Sequence, residues 1–321
     1  MSFVLIIYLF ITFIYSRNFN YNTSGFACVG EWYYSKAILG EKVFVLKNSA
    51  GYDGQFFLYM CHDLNGNSEI IKQIDVPAYR YQRIMYPLLV YLISFGQNNI
   101  FSPILILVNI ISIIFTVYVL ILFLRKNDMN IWYSLLYPCI SGLVLCVMRD
   151  LPGPLDILFI VCAFYFYSGG KYLQSAIFLS LAFLTRETSL LLLAGFMFDI
   201  LFVKKRHRDV FYFVFSAIPW ALWQGYLFSQ FKQLSFSGGT GNFDAPLKAF
   251  IKYVQAVFGM NDEIRLKLLF FFIGIIFIFS LIIALLEFIK NRNVYSVNFL
   301  IVAIFFLFLS DKVWVEPWSF V

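Results

Sequence analysis

The sequence predicts an all-α polytopic membrane protein, with about nine transmembrane helices and amphipathic surface helices in its first outer loop. Three observations carry that expectation. Of the 321 residues, 61% are hydrophobic and 13% are charged, whereas a soluble domain carries about 25% charged residues. The mean hydropathy is +0.79. Apolar runs also recur along the whole chain, with Lys and Arg gathered in the short loops between them. Phe alone contributes 40 residues, and one water-soluble core cannot hide that much apolar surface. The net charge of +6 is accounted for by the basic loops, so it does not point to nucleic acid.

The first run, Ser2–Tyr15, resembles the apolar region of a signal sequence. It lacks a basic leader and a small-x-small cleavage site before Arg17, so an uncleaved first helix is expected. The later runs are Ile84–Phe95, Pro103–Leu124, Ile131–Met148, Pro154–Tyr167, Tyr172–Leu184, Ser189–Val203, Val210–Phe228, Leu266–Ile289 and Val294–Leu309. A bilayer core of about 30 Å needs about 20 helical residues. Ile84–Phe95 would reach only ~18 Å as a helix. With Pro87 in its first turn and Gly96 at its stop, it reads as a helix lying on the membrane surface.

Charge placement supports that choice. With the N-terminus in the cytoplasm and Ile84–Phe95 on the surface, four basic loops fall inside: Arg125–Lys126, Lys171, Lys204–Arg208 and Lys290–Arg292. Counting the short helix as a span would put all four outside, against the positive-inside rule. Nine spans follow, with the C-terminus outside. Residues 17–102 form a first outer loop and 229–265 a second, and Arg149–Pro154 and Thr185–Thr188 are short outer turns. The chain leaves its last run at Asp311 and stops at Val321, which predicts either a fragment or a short relative of something longer.

The first outer loop and the two turns hold the candidate chemistry. Asp53 opens a short amphipathic helix backed by Phe56, Phe57, Leu58 and Tyr59. Two readings stand open for it: a helix N-cap, or a carboxylate at the membrane boundary acting as general base or cation ligand. Arg80 and Arg83 lie three apart and would share a helix face. Guanidinium forks suit phosphate, and snorkelling toward headgroups is the plainer alternative. Tyr79, Tyr81 and Tyr86 fit an interfacial aromatic belt. Arg149–Asp150 and Arg186–Glu187 each end an apolar run. A structural ion pair or an orientation signal is one reading of them, and because both arginines oppose the positive-inside bias, a ligand or partner is the other.

Other patterns fall away. Asp63–Asn67 begins like a calcium loop, but its glycine comes too early and loop position twelve is Ile74. Gly238–Gly241 lacks the Lys-Ser/Thr of a phosphate loop. His62 and His207 are the only histidines, and the topology places one on each side. Cys139, Cys146 and Cys162 lie in apolar runs and read as small hydrophobes. Cys28 and Cys61 share the first outer loop, where an oxidising compartment would permit a disulfide.

The segments YDGQFFLYMCHD (52–63), PAYRYQRIMYPLLVYL (77–92) and LAFLTRET (181–188) together resemble a bacterial family of cell-surface glycopolymer formation proteins. That family belongs to the GT-C membrane glycosyltransferases. The order is also similar to the GPI mannosyltransferase II family, with its Trp-Asp at a first-loop helix, a Pro-containing helix and a later Thr-Arg. The likeness covers about Gly51 to Thr188, and beyond Leu190 it rests on hydropathy.

The resemblance implies one transmembrane domain over 1–321 in a bacterial inner membrane. Its donor would be a polyprenyl-phosphate-linked sugar, and a glycan or lipid acceptor would meet it on the outer face among membrane lipids. Asp53 would inherit the essential first-loop acid, with Mg2+ or Mn2+ as a possible ligand. Arg80, Arg83 and Arg186 would inherit contacts to lipid phosphate. Tyr52, Gln55, Arg149, Asp150 and Glu187 complete the expected substrate-binding set. The family's Asp-Pro after the first-loop helix is Asp63-Leu64 here, so no specific role passes to Asp63. A transporter or flippase for a lipid-linked sugar would use the same arginines, but the charges lie at run ends and no inverted repeat is evident. A non-catalytic assembly subunit is the third reading.

Overall fold

The computed structural model describes residues 1–259 and 264–315. Residues 316–321, which hold the end of the chain, and 260–263 of the second outer loop lie outside the described residues. The described chain is mostly helical, with one two-stranded parallel pairing, β1 (Val29–Gly30) on β2 (Val45–Leu46). In chain order the first helices are α1 (Ser2–Ser16), α2 (Lys36–Leu39), α3 (Gly54–His62), α4 (Pro77–Tyr81), α5 (Met85–Ile93) and α6 (Phe101–Lys126). Then come α7 (Ser141–Met148), α8 (Gly153–Ser168), α9 (Tyr172–Thr185), α10 (Leu191–Phe198), α11 (Val210–Ser216) and α12 (Ile218–Phe231). The last are α13 (Lys248–Gly259), α14 (Ile264–Lys290), α15 (Val294–Phe306) and α16 (Asp311–Val315).

Among the described residues, 4 helical stretches are long and apolar enough to cross a membrane: Ser2–Phe19, Asn98–Lys126, His207–Phe231 and Phe271–Lys290. At 1.5 Å per residue, α6 is roughly 39 Å long, and Arg125 and Lys126 close its last turn, where cations complement the helix dipole. Shorter apolar helices, α8, α9 and α15, accompany them. The long helices turn apolar side chains outward: Phe3, Ile6 and Phe10 on α1 and Ile276, Phe279 and Leu286 on α14 are all exposed. Exposed apolar belts of this length fit a bilayer rather than water. The chain is thus a mostly helical protein with the makings of a membrane protein.

Two expected runs are not single helices. Ile131–Met148 divides into a 3-10 stretch, Ile131–Leu136, and the eight-residue α7. Pro138 between them lacks an N–H and cannot continue a helix, and its carbonyl instead accepts from the Tyr8 hydroxyl of α1 at 2.9 Å. Val210–Phe228 breaks at Ala217, where Pro219 stands in the first turn of α12. By contrast, Ile84–Phe95 forms the short helix expected of it. α5 ends before Phe95 and Gly96, both of which take positive φ.

Two compact units are present. The first holds Met1–Glu187 with Ser216–Ser237. One of its cores joins Phe57 and Tyr59 of α3 to Tyr86 and Val90 of α5 and Phe101 and Leu105 of α6. A second core packs Val4 and Tyr8 of α1 on Ile106, Ile110 and Ile113 of α6. α8 and α9 form a hairpin through Gly169–Gly170, bonded by Ser175 Oγ to the Ala163 carbonyl at 2.9 Å. α12 anchors the first outer loop, with Trp223 Nε1 donating to the Tyr81 carbonyl and the Tyr226 hydroxyl to that of Asn65. The second unit holds Thr188–Phe215 with the described residues of 238–315. There Gly195 of α10 leaves room for the buried Asn298 of α15, and Tyr253, Val257 and Trp314 share a core.

α3 starts against the turn after α7, and the fit there has no slack. A Cβ on Gly54 would lie 2.2 Å from the Arg149 carbonyl oxygen and 3.0 Å from that of Ala27. Both obstacles are backbone, so Gly54→Ala forces the segments apart. Overpacking of this kind costs about 1–3 kcal/mol, and the thermal midpoint of the purified protein should fall accordingly. An unchanged midpoint would show that the two backbones do not touch.

Candidate functional site

The residues before α3 form a rigid hub. Gly51 takes φ +73° and pairs with Val29, and the Tyr52 N–H bonds to the Cys28 carbonyl at 3.0 Å. Gln55 locks the two strands of chain together. Its Oε1 accepts from the Gly30 N–H at 3.1 Å and its Nε2 donates to the Ala50 carbonyl at 2.8 Å. Gln55 is buried and engaged at both ends, so it serves the hub and presents nothing to a substrate as it stands.

Asp53 occupies the N-cap position of α3, yet its side chain makes no capping hydrogen bond. Its Oδ2 instead lies 2.7 Å from Arg80 Nη1. Arg80 sits on α4, whose start is set by Pro77 in the first turn. Its Nε and Nη2 form a two-bond fork with Asp75, at 2.9 and 2.8 Å. The Phe56 ring lies 4.5 Å from the guanidinium centre, a cation–π contact that suits a desolvated cation. Burial works against the Arg80 charge, and Asp75 and Asp53 more than restore it, leaving the group more firmly protonated than usual. Burial also pushes Asp75 up, but the Arg80 bonds and the Val76 N–H outweigh it and hold the carboxyl below its ordinary range.

Arg83, one turn on, makes the second fork. Its Nε and Nη2 donate to Glu187 at 2.9 and 2.7 Å, and Nη2 also reaches the Tyr79 hydroxyl at 2.6 Å. This clamp ties α4 to the turn after α9, 104 residues away. Both side chains are mostly buried. Burial raises Glu187, and the Arg83 charge and bonds override it, so the carboxyl lies below its usual range.

Arg149 stacks on Tyr52, its guanidinium centre 4.4 Å from the ring. Its Nε is buried without a hydrogen-bond partner. Arg186 caps α9 in extended backbone and adds positive field at Glu187. Among the described residues, neither arginine forms a carboxylate salt bridge. Asp150 is different. It is fully buried in left-handed backbone, φ +48°, and neither carboxylate oxygen has a partner. Burial drives its proton affinity well up, and its carboxyl lies in the core rather than at the surface.

The expected set therefore divides. Ion pairs bring Asp53 and Arg80 together and Arg83 to Glu187, and Tyr52 brings in Arg149, while Gln55 and Asp150 turn inward. Three members were not anticipated. Asp75 lies five residues before Arg80, across a helix start that no fixed spacing rule covers. Tyr79 stands at i, i+4 from Arg83, a signal masked by its reading as an aromatic belt. Phe56 reads as core. Asp63 accepts from the N–H groups of Asn65, Gly66 and Ser68 and orders its own loop. Cys28 and Cys61 are separate buried thiols, not a disulfide, and burial brings His62 down to about 4, so it stays neutral.

A resident divalent cation does not fit these residues as they stand. Among the described residues, no three His, Cys, Asp or Glu side chains converge, and the nearest carboxylates, Asp53 and Asp75, share one guanidinium. No protein-family model, curated protein or solved structure matches the chain. The site is therefore read from its own chemistry. It is built on Asp53, whose side chain is 40% exposed and contacted by Arg80 through one oxygen, with Arg83 held by Glu187 and Arg149 stacked on the neighbouring Tyr52.

The Arg83–Glu187 clamp makes a stability prediction. Glu187→Gln leaves Arg83 buried without its counter-charge, a loss of about 3–5 kcal/mol. Because the folded carboxyls of Glu187 and Asp75 lie below their unfolded values, their stabilisation is present above the ordinary carboxylate range. It is lost as pH falls through the folded values. The gap in thermal midpoint between wild type and Glu187→Gln should thus narrow as pH drops below about 4. A gap that stays constant as pH is taken well below that range would remove the clamp from the account.

Proposed function

We propose that the protein is a GT-C type glycosyltransferase of a bacterial inner membrane. It moves a sugar from a polyprenyl-phosphate donor to a glycan or lipid acceptor on the outer face, in the making of a cell-surface glycopolymer. The observation that carries this reading is the state of Asp53. Its carboxylate is not spent on capping α3, it is part-exposed, and it stands against an arginine beside further guanidinium groups. An acceptor hydroxyl needs a base at such a boundary, and a departing phosphate needs fixed cations where its charge develops. Asp53 supplies the first and the arginine cluster the second. The Tyr52–Arg149 stack and the Arg83–Glu187 clamp hold that cluster in place before substrate arrives, so little reorganisation is left to the reaction step.

The topology that goes with this reading has nine crossings, N-terminus inside, with residues 17–102 outside and Lys204–Arg208 inside. The short helices α8 and α9, at 16 and 14 residues, would cross where the bilayer is locally thin. On a Cys139→Ser background, Ser68→Cys should react with a membrane-impermeant maleimide in intact cells, and Lys205→Cys should react only after lysis. The reverse pattern would invert the topology and the face of the site with it.

Asp53→Asn tests the chemistry. In cells lacking the native gene, with membrane expression matched to wild type, the variant should lower surface glycopolymer at least about a hundredfold, the scale of a lost general base. Full polymer would return Asp53 to a purely structural ion pair and favour a transporter or an assembly subunit.

A further inference from the structure

Arg80 is held unevenly. Asp75 grips it through two parallel bonds, whereas Asp53 meets one nitrogen, Nη1. Exposure follows the same gradient, at 40% for the Asp53 side chain, 28% for Asp75 and 11% for Arg80. A competing anion displaces the wetter, singly bonded partner first, because water already shares that contact and screens it. The rest of Arg80 stays put. The Asp75 fork fixes the plane of the guanidinium, and the Phe56 ring lies 4.5 Å away. Nη1 is therefore a fixed donor whose present acceptor is replaceable. A donor phosphodiester, with one negative charge and two unesterified oxygens, is an acceptor equivalent to that carboxylate, and it gains a second charge at Nη1 as the sugar departs.

We infer that Arg80 Nη1 is an exchange site, at which the phosphate of the lipid-linked donor replaces Asp53 and frees that carboxylate for the acceptor hydroxyl. This rests on the glycosyltransferase reading above and adds an order to it, donor phosphate first and acceptor activation second. In the step that follows, the acceptor oxygen bonds to the anomeric carbon and the bond from that carbon to the phosphate oxygen breaks. The phosphate keeps the electron pair and Asp53 takes the hydroxyl proton. No further reactant is required. The arrangement also keeps Asp53 occupied while the donor is absent.

Binding of farnesyl phosphate, farnesol and inorganic phosphate to the full chain in nanodiscs tests the exchange. Asp53→Asn removes the competing charge, so farnesyl phosphate should bind about fivefold tighter than to wild type, the scale of one part-exposed ion contact. Farnesol should bind both proteins alike. Asp53→Ala should move in the same direction, and thermal midpoints check that both variants fold. Equal or weaker farnesyl phosphate binding in the folded variants overturns the exchange, whatever the transfer assay shows. An equal gain for inorganic phosphate, at equal affinity, overturns the lipid-linked assignment and leaves a free-phosphate site. Tighter farnesyl phosphate binding in a protein whose wild type transfers no sugar supports the exchange and removes the enzyme reading instead.

Discussion

A guanidinium taken largely out of water dictates the arrangement of the first outer loop. Removing such a cation from solvent is costly unless carboxylates and ring faces replace the lost hydration. Arg80 is therefore met by Asp75 from the turn before α4 and by Asp53 and Phe56 from the start of α3. These demands draw α4 onto the start of α3. Once α4 is there, Arg83 faces the same problem one turn on, and Glu187 and Tyr79 answer it. A charge requirement thus decides which parts of the loop and which outer turn become neighbours, while the apolar cores beneath supply most of the cohesion.

The hub around Asp53 shows how small residues serve that geometry. Gly51 permits the positive φ of the turn, and Gly54 permits the close approach of the Arg149 carbonyl. Gln55 fills the space between with an amide bonded at both ends. Asp53 is consequently carried by a stretch with little freedom, although its own carboxylate remains partly in water. Preorganised support beneath an accessible group is what the proposed transfer would require, since flexible surroundings would reorganise in its reaction step. The buried Asp150 behind the same turn has no such exposure, and its environment separates it sharply from Asp53 despite their shared residue type.

Much of this was legible from the chain. The short helix α5 follows from its length, Pro87 and Gly96. The gathering of charged residues in 17–102 and in the turns after α7 and α9 follows from charge placement, because charged groups cannot remain in hydrocarbon without a reason. Less legible was which acid meets which arginine. Sequence spacing treats Arg80 and Arg83 as equivalent neighbours on one face. In the folded chain one shares two carboxylates and the other closes a clamp 104 residues long. The breaks at Pro138 and Ala217 were also underestimated, because hydropathy averages over a run and is blind to a single missing N–H.

By itself the sequence determined the helical class, the apolar faces and the set of charged groups available between the apolar runs. Those properties are local or additive, set by composition and by the period of a helix. Only the tertiary structure decided that Asp53 leaves its capping position for Arg80, that Asp75 and Tyr79 join the cluster, and that Gln55 and Asp150 turn inward. The reason is that ion pairing and burial depend on distances between segments remote in the chain, and no local pattern records those distances.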